Sequence, residues 1–143
     1  MIIERGKTVI WRYDAAQNIL FVSYPNVTLD TPEEIVAHFD MCLSFWRRHC
    51  HGRKVYCVLD YSGLEVNLRH LDVYTRQLDR MNQCHITRVR YGGSALQRTA
   101  VRLANLKLHT PSNLYGSLEE ALRVVHKLKS GELPIATDSE RGP

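Results

Sequence analysis

The sequence lacks the apolar runs and paired cysteines that mark membrane spans, secretion signals and disulfide scaffolds. No stretch approaches the roughly 20 apolar residues that cross a bilayer. Charges at Glu4, Arg5 and Lys7 interrupt the N-terminus, so it has no signal-peptide core. The four cysteines, Cys42, Cys50, Cys57 and Cys84, form no Cys-x-x-Cys pair. We therefore predict reduced cysteines, a cytoplasmic location and no membrane insertion.

Strong charge of one sign is also missing. Nineteen Lys and Arg residues against 15 Asp and Glu residues leave a net charge of +4 over 143 residues, and the basic residues are scattered. Basic residues occur together at Arg47, Arg48, Arg53 and Lys54, without interleaved aromatics or a known motif, so nucleic-acid binding is not favoured. The length predicts a single domain over residues 1–129. Residues 130–143 are polar, with two prolines and two glycines, and predict a flexible C-terminal tail.

No catalytic, metal or cofactor motif stands out. His49, Cys50 and His51 are adjacent, but neighbouring side chains at a helix end point in different directions and the other histidines supply no partner spacing. Ser62, Cys57 or Cys84 could pair with any of seven histidines, and nothing in the spacing selects one. The sequence therefore predicts no metal, no cofactor and no enzyme.

The clearest structural signal is the segment 54–63, KVYCVLDYSG. Val55–Leu59 is an unbroken apolar run, which is typical of a strand covered on both faces. Asp60, Ser62 and Gly63 then end the run with turn residues. We predict a central strand with helices packed against the sheet.

The remaining elements are predicted from alternation and capping. Lys7–Asp14 and Asn18–Tyr24 form a hairpin. Helices begin at the capping residues Thr31, Asn67, Ser94 and Ser117. Leu96, Ala100, Leu103 and Ala104 are predicted to face inward. Alternating Ile86–Tyr91 predicts a strand near an edge or exposed on one face, and Leu106–His109 predicts an edge strand. The fold class is therefore α/β, with one sheet of about five strands, an N-terminal hairpin followed by βα repeats, and about four helices.

This order, together with Leu59-Asp60-Tyr61-Ser62-Gly63, resembles the STAS domain family, and in particular its SpoIIAA-like members. The family has Leu-Asp-Leu-Ser-Gly at the end of the same strand, and segment 113–122 is similar to its final turn and helix. The likeness covers most of residues 7–129. It implies the STAS fold and a regulatory role without catalysis.

The resemblance leaves two alignments open for a phosphorylated serine. Antagonist-type members carry Asp-Ser-Ser-Gly-Leu at the start of the helix after this strand, and Asp60–Leu64 nearly matches it with Ser62 in the phosphoserine place. The competing alignment places that motif at Val66–Leu71, which has no serine. We favour the second alignment, which leaves a phosphoswitch in doubt.

Two clusters are candidate sites. Asp60, Ser62 and Gly63 lie where ligands and regulatory contacts gather in open α/β sheets, although such side chains often only bond to loop amides. Gly92, Gly93 and Ser94 begin a helix whose free amides suit an anion, with charge from Arg88, Arg90 and Arg98. The second cluster lacks a phosphate-loop pattern, so a tight capped turn is the simpler interpretation.

The leading hypothesis is a bacterial regulatory module that binds a partner protein beside Asp60–Leu71. The alternative is a carrier or sensor of a lipid or apolar metabolite, with Trp11, Phe39, Trp46 and Tyr74 lining a pocket between sheet and helices. Self-association as a homodimer would cover an edge strand.

Overall fold

Strands and helices alternate along residues 1–134, which are the residues that the computed structural model describes. The strands are Ile2–Arg5 (β1), Ile10–Asp14 (β2), Ile19–Ser23 (β3), Val27–Leu29 (β4), Val55–Asp60 (β5), Leu64–Val66 (β6), His85–Tyr91 (β7) and Leu114–Tyr115 (β8). The α-helices are Pro32–His49 (α1), Leu71–Arg80 (α2), Ala95–Leu108 (α3) and Leu118–Lys129 (α4). Short 3-10 turns at Leu68–His70 and Met81–Gln83 flank α2. Most of the predicted tail, residues 135–143, lies outside the described residues.

The main sheet has six strands in the order β1-β2-β3-β5-β7-β8. The first three strands pair antiparallel, whereas β3, β5, β7 and β8 pair parallel. β4 and β6 form a separate two-stranded parallel sheet. The predicted α/β class, hairpin and central strand are confirmed, and the strand count is higher because the sequence did not indicate β1 or the β4–β6 pair.

Opposite faces of β5 pack against different helices, which explains its unbroken apolar run. Cys57 and Leu59 belong to the larger core, together with residues of α1, α2 and α3. Val58 lies on the other face, in a smaller cluster with Val125 of α4. All three side chains are at most 7% exposed. The central strand is therefore covered above and below.

Three helices begin as their capping residues predict. In each case the hydroxyl oxygen of the cap accepts a hydrogen bond from the amide three residues on. These bonds are Glu34 N to Thr31 Oγ1 (3.2 Å), Gln97 N to Ser94 Oγ (3.0 Å) and Glu120 N to Ser117 Oγ (3.2 Å). Asn67 caps the 3-10 turn before α2 by accepting from Arg69 N at 3.0 Å.

The predicted strand at Leu106–His109 is wrong. Leu106 to Leu108 complete α3, and His109 ends the helix in the left-handed conformation with φ 56°, its amide bonding back to Asn105 and Leu106. The short strand β8 occupies the sheet edge instead. Alternating apolar and polar residues over one helical turn were mistaken for a strand pattern.

The predicted orientation of α3 is also partly wrong. Ala100 and Ala104 are fully buried, but Leu96 and Leu103 are 50% and 41% exposed. The inward face instead includes Gln97, which donates to the Tyr74 hydroxyl at 3.3 Å. A polar residue can lie on that face because a neighbouring helix supplies its partner.

Strand β7 is next to the sheet edge, but the exposed face that its alternating sequence implied is absent. Arg88 and Arg90 are 8% and 1% exposed. Their guanidinium groups donate to the carbonyl oxygens of Leu78 (2.8 Å) and Ser112 (2.6 Å). The alternating pattern suggested that these side chains contact solvent. Carbonyl oxygens of distant backbone segments bind the guanidinium groups instead.

A buried histidine makes the fold sensitive to acid. Burial lowers the pKa of His38 from its ordinary value of 6.5 to about 4. The folded state keeps this ring neutral while the unfolded chain takes up a proton, so its stabilisation is complete above about pH 6.5 and lost as the pH falls towards 4. We expect the free energy of unfolding to drop by about 3 kcal/mol across that window, measured by urea denaturation.

The variant His38→Gln should remove much of this pH dependence, and His126→Gln, at an exposed position on α4, should leave it intact. Half-buried His85, whose pKa burial also lowers, contributes the remaining pH dependence in the same direction. An unchanged pH slope in His38→Gln would contradict this assignment.

Candidate functional site

The two candidate clusters lie side by side at the carboxyl ends of β5 and β7. Residues 60–63 follow β5 and residues 92–94 follow β7, its parallel neighbour, and we call these two segments the carboxyl-edge loops. The amide of Tyr61 donates to the carbonyl of Tyr91 at 2.9 Å, which joins the two loops at their base. The structure thus brings together two clusters that were predicted as separate sites.

Asp60 holds the shape of the first loop. Its Oδ1 accepts a hydrogen bond from the amide of Ser62 at 2.9 Å, an arrangement typical of aspartate in turns. Asp60 also pairs in register with Tyr91 across the sheet. Burial, with a further contribution from the Asp60 carboxylate, raises the pKa of Tyr91. The tyrosine is therefore protonated at neutral pH, and Asp60 has a structural role in the loop.

Gly92 brings the second loop against Ser62. Its backbone has φ +69°, and a Cβ at this position would lie 2.5 Å from Ser62 Oγ and 3.2 Å from Asp60 Oδ1. Only glycine allows both this conformation and this approach. Ser62 itself is exposed. The loops therefore form one continuous surface with the Ser62 hydroxyl at their junction.

Arg98 secures the second loop from α3. It donates to the carbonyl oxygens of Gly92 at 3.0 Å and of Tyr115 at 3.4 Å. Ser94 is exposed and caps α3. Of the five residues proposed for an anion site, the structure brings Gly93, Ser94 and Arg98 together. The other two, Arg88 and Arg90, extend into the core beneath α2 and α3.

Ser62 does not begin the helix that follows β5. Strand β6 and the 3-10 turn capped by Asn67 separate Ser62 from Leu71, where α2 begins. The residue at the start of the helical segment is therefore Asn67. This geometry favours the alignment in which the phosphoserine place has no serine.

The adjacent side chains near the end of α1 that could bind a metal lie in different surroundings. His49 Nε2 lies 3.4 Å from a Glu4 carboxylate oxygen, Cys50 is buried and His51 is exposed. Within residues 1–134, no three metal-binding side chains converge. Over the same range, no helix is both long enough and apolar enough to traverse a bilayer.

The cysteines offer no activated thiol in the described part of the chain. All four are free and buried. Burial raises the pKa of Cys42 to about 12 and of Cys84 to about 11. A thiol held protonated in this way is a poor nucleophile at neutral pH.

Sequence reasoning missed an apolar stripe on the outer face of α3. Its members, Leu96, Leu103 and Leu106, are 50%, 41% and 72% exposed. Spacings of seven and ten residues place them on one side of the helix, beginning two residues after Ser94. The signal was present in the sequence, but Leu96 and Leu103 were predicted to face inward and Leu106 was predicted to lie in an edge strand.

The parallel strands, their crossover helices and the loops at their carboxyl ends define an α/β domain of the STAS-like type. Structural comparison finds a similar fold in SLC26A9, with a TM-score of 0.52 and 13% identity over 81% of this chain and 21% of that chain. The chain thus spans about a fifth of the length of SLC26A9. The predicted STAS-like fold is confirmed, and at this identity the similarity shows the fold alone.

A second similar structure is that of an uncharacterized protein of the DUF3478 family with a SpoIIAA-like fold, from Shewanella loihica PV-4. It has a TM-score of 0.49 and 18% identity, covering 85% of this chain and 89% of that chain. No protein-family model and no curated protein sequence matches the chain.

Proposed function

We propose that the chain is a bacterial regulatory module without catalytic activity, which binds a partner protein through the carboxyl-edge loops. The observation that carries this proposal is the union of the two loops into one surface around the exposed Ser62 hydroxyl. Loops fixed on a rigid sheet are well suited to recognition because their position varies little. The STAS-like fold is consistent with this role, although folds of this kind do not by themselves specify a function.

The described side chains support the absence of catalysis. Asp60 is engaged by the Ser62 amide, and the buried thiols have raised pKa values. His38 is buried, and its Nδ1 lies 3.1 Å from Thr8 Oγ1 rather than against a polar atom of the carboxyl-edge loops. No nucleophile, base and orienting group therefore meet at these loops among residues 1–134.

The leucine stripe of α3 extends the surface. Leu96 lies two residues after Ser94, so an apolar edge adjoins the polar loops. Exposed apolar side chains that lie together, next to polar groups, are typical of protein-binding surfaces. We propose that a partner contacts Ser62 and Leu96 together, and that the module acts in the cytoplasm, where free buried cysteines are the rule.

Phosphorylation of Ser62 would regulate this contact by charge. A phosphate there would add about two negative charges beside the Asp60 carboxylate and against the Gly92 backbone. We propose that such a modification weakens partner binding. Phosphopeptide mapping with and without the cell's kinases tests it, and binding that is equal for Ser62→Glu and the unmodified protein would contradict it.

Ligand carriage is less well supported. Trp11, Phe39, Trp46 and Tyr74 are all at most 8% exposed and belong to the main core. The cavity that these side chains help to line has a volume of about 30 Å³, which is room for water but not for a lipid. The structure therefore favours a packing role for the four aromatics.

We expect Ser62→Arg and Leu96→Asp each to reduce capture of the partner at least about tenfold, because each places a charge at the centre of the contact. The measurement is affinity capture from cell extract with quantitative mass spectrometry. Ser44→Arg, at an exposed position on α1, is the matched control and should capture normally. A partner retained equally by all three variants would contradict this surface.

We also propose self-association through the free edge of β1. Ile2 and Ile3 of this edge strand are 37% and 60% exposed. Unpaired strand edges readily pair with a second copy. Light scattering after size-exclusion chromatography should show a dimer that Ile3→Lys dissociates and Leu106→Lys does not. A monomer at every concentration would contradict it.

A further inference from the structure

Two arginine side chains from alternate positions of β7 line one small polar cleft. Arg88 and Arg90 point to the same side of the strand, and the cleft lies beside β7, between the turn after α2 and the turn after α3. Its volume is about 60 Å³. The other lining residues carry polar or apolar groups and no carboxylate; they are Asn82, His85, Ile86, Thr87, Asn105, Thr110, Pro111 and Asn113.

The two guanidinium groups are buried without a countercharge in the described part of the chain. Arg88 and Arg90 are 8% and 1% exposed, and none of the ion pairs within residues 1–134 includes either of them. Their known partners are neutral. Arg88 donates to Leu78 O and Asn82 Oδ1, and Arg90 donates to Tyr61 Oη and Ser112 O. Hydrogen bonds to neutral oxygens leave the net charge of +2 uncompensated.

One donor of this pair has no hydrogen-bond partner within residues 1–134. Nη2 of Arg90 is buried and makes no hydrogen bond among the described residues, and the same holds for Nδ1 of His85, which lines the same cleft. A buried unsatisfied guanidinium nitrogen is rare because leaving it unpaired is costly. The neighbouring amides are already engaged, since Asn113 Nδ2 donates to Arg88 O at 3.0 Å and Asn105 Nδ2 to Val101 O at 2.8 Å.

Arg88 lies in surroundings that disfavour its positive charge. Burial and, next, the nearby Arg90 charge lower the pKa of Arg88 to about 10. Arg88 is still charged at neutral pH, so the cleft holds two positive charges close together. A negatively charged ligand would relieve both the burial penalty and the mutual repulsion.

We propose that this cleft binds one small oxyanion, held by the guanidinium groups of Arg88 and Arg90. Planar guanidinium donors match the paired oxygens of an oxyanion, which suits phosphate or sulfate better than a halide. A bound oxyanion gives Nη2 of Arg90 the acceptor that it lacks among the described residues. The volume admits the anion but not a larger molecule attached to it. No residue of the carboxyl-edge loops lines the cleft, and the proposal does not depend on partner binding.

Calorimetric titration with inorganic phosphate at constant ionic strength tests the proposal. We expect one phosphate per chain, binding weakened at least about tenfold in Arg88→Met and in Arg90→Met, and normal binding in Arg102→Met, a matched control at an exposed position on α3. Chloride and a nucleoside monophosphate should bind far more weakly than phosphate. Equal phosphate affinity in folded Arg90→Met, or tight binding of the nucleotide, would overturn the proposal.

A second measurement uses the unmodified protein, in case a core arginine variant fails to fold. Nuclear magnetic resonance of the arginine Nε groups should show the Arg90 signal shifting in proportion to added phosphate, while the Arg102 signal stays in place. The absence of any shift at high phosphate would show that the two arginines are satisfied by water and the neighbouring carbonyls alone, and would overturn the proposal.

Discussion

Replacing Gly63 by alanine should destabilise the protein by about 4 kcal/mol or more, which is in the exceptional range for a single substitution. A Cβ at this position would lie 2.0 Å from the carbonyl oxygen of Tyr24 and 2.9 Å from the amide nitrogen of Asn26. Both atoms belong to backbone, which cannot move aside as a flexible side chain can. The Gly63 carbonyl also accepts a hydrogen bond from Val27 at 2.6 Å, so separating the segments would disturb the β4–β6 sheet.

Gly116→Ala is the matched control. There the nearest atom to a new Cβ would be a carboxylate oxygen of Glu120 at 3.3 Å, at the end of a flexible side chain. We expect a change within about 1 kcal/mol at this position. The comparison is made by urea denaturation of both variants. A Gly63→Ala protein as stable as Gly116→Ala would show that the 60–63 loop does not pack against residues 24–26 as described.

The second large effect is expected for Phe45→Ala, which should lower the free energy of unfolding by about 4 kcal/mol. Phe45 is fully buried in α1 and stacks on Trp11 of β2, with ring centroids 5.0 Å apart and planes inclined by 11°. Truncation removes the buried ring and leaves a cavity between helix and sheet. Thermal and urea unfolding, with tryptophan fluorescence as the probe, measure the loss.

Phe21→Ala makes the same chemical change on the opposite face of the sheet. Phe21 is half-buried and has the Arg12 guanidinium carbon 5.0 Å from its ring centroid. We expect a smaller loss of about 1 to 2 kcal/mol, since less apolar surface leaves water. Equal losses in the two variants would contradict the assignment of Phe45 to the centre of the main core.

Local signals predicted most of the fold. The helix starts at Thr31, Ser94 and Ser117 depend on contacts between residues three apart, so the sequence itself contains both partners. The prediction of the covered strand at 55–59 also depended only on local sequence, because few other structures accommodate a short apolar run with no polar face. The element order then restricted the topology to a parallel sheet with an opening hairpin.

The errors on β7 and on the orientation of α3 share one physical cause, which is that distant segments supply the partners of buried polar groups. The arginines of β7 are buried because Leu78 and Ser112 offer carbonyl oxygens, and neither contact is visible in segment 86–91. Gln97 occupies the inner face of α3 because Tyr74 meets it there. With polar residues facing inward, three leucines of α3, Leu96, Leu103 and Leu106, are left exposed to solvent.

The candidate site was predicted as two separate pieces. The residue types of both loops were identified, but their contact depends on β5 and β7 being parallel neighbours, and on the approach that Gly92 permits. The predicted role of Arg88 and Arg90 beside the second loop depended on the direction in which their side chains leave β7. Strand alternation places their side chains towards α2 and α3 instead, where they form the polar cleft.

Hydrogen–deuterium exchange on the complex with the captured partner shows whether the carboxyl-edge loops bind that partner. We expect binding to slow amide exchange at residues 60–63 and 92–96, while the amides of β1 and of the outer face of α4 exchange as in the free protein. Protection confined to α4 or β1, with the carboxyl-edge loops exchanging at their free rate, would contradict the assignment of this surface as the place where the module acts.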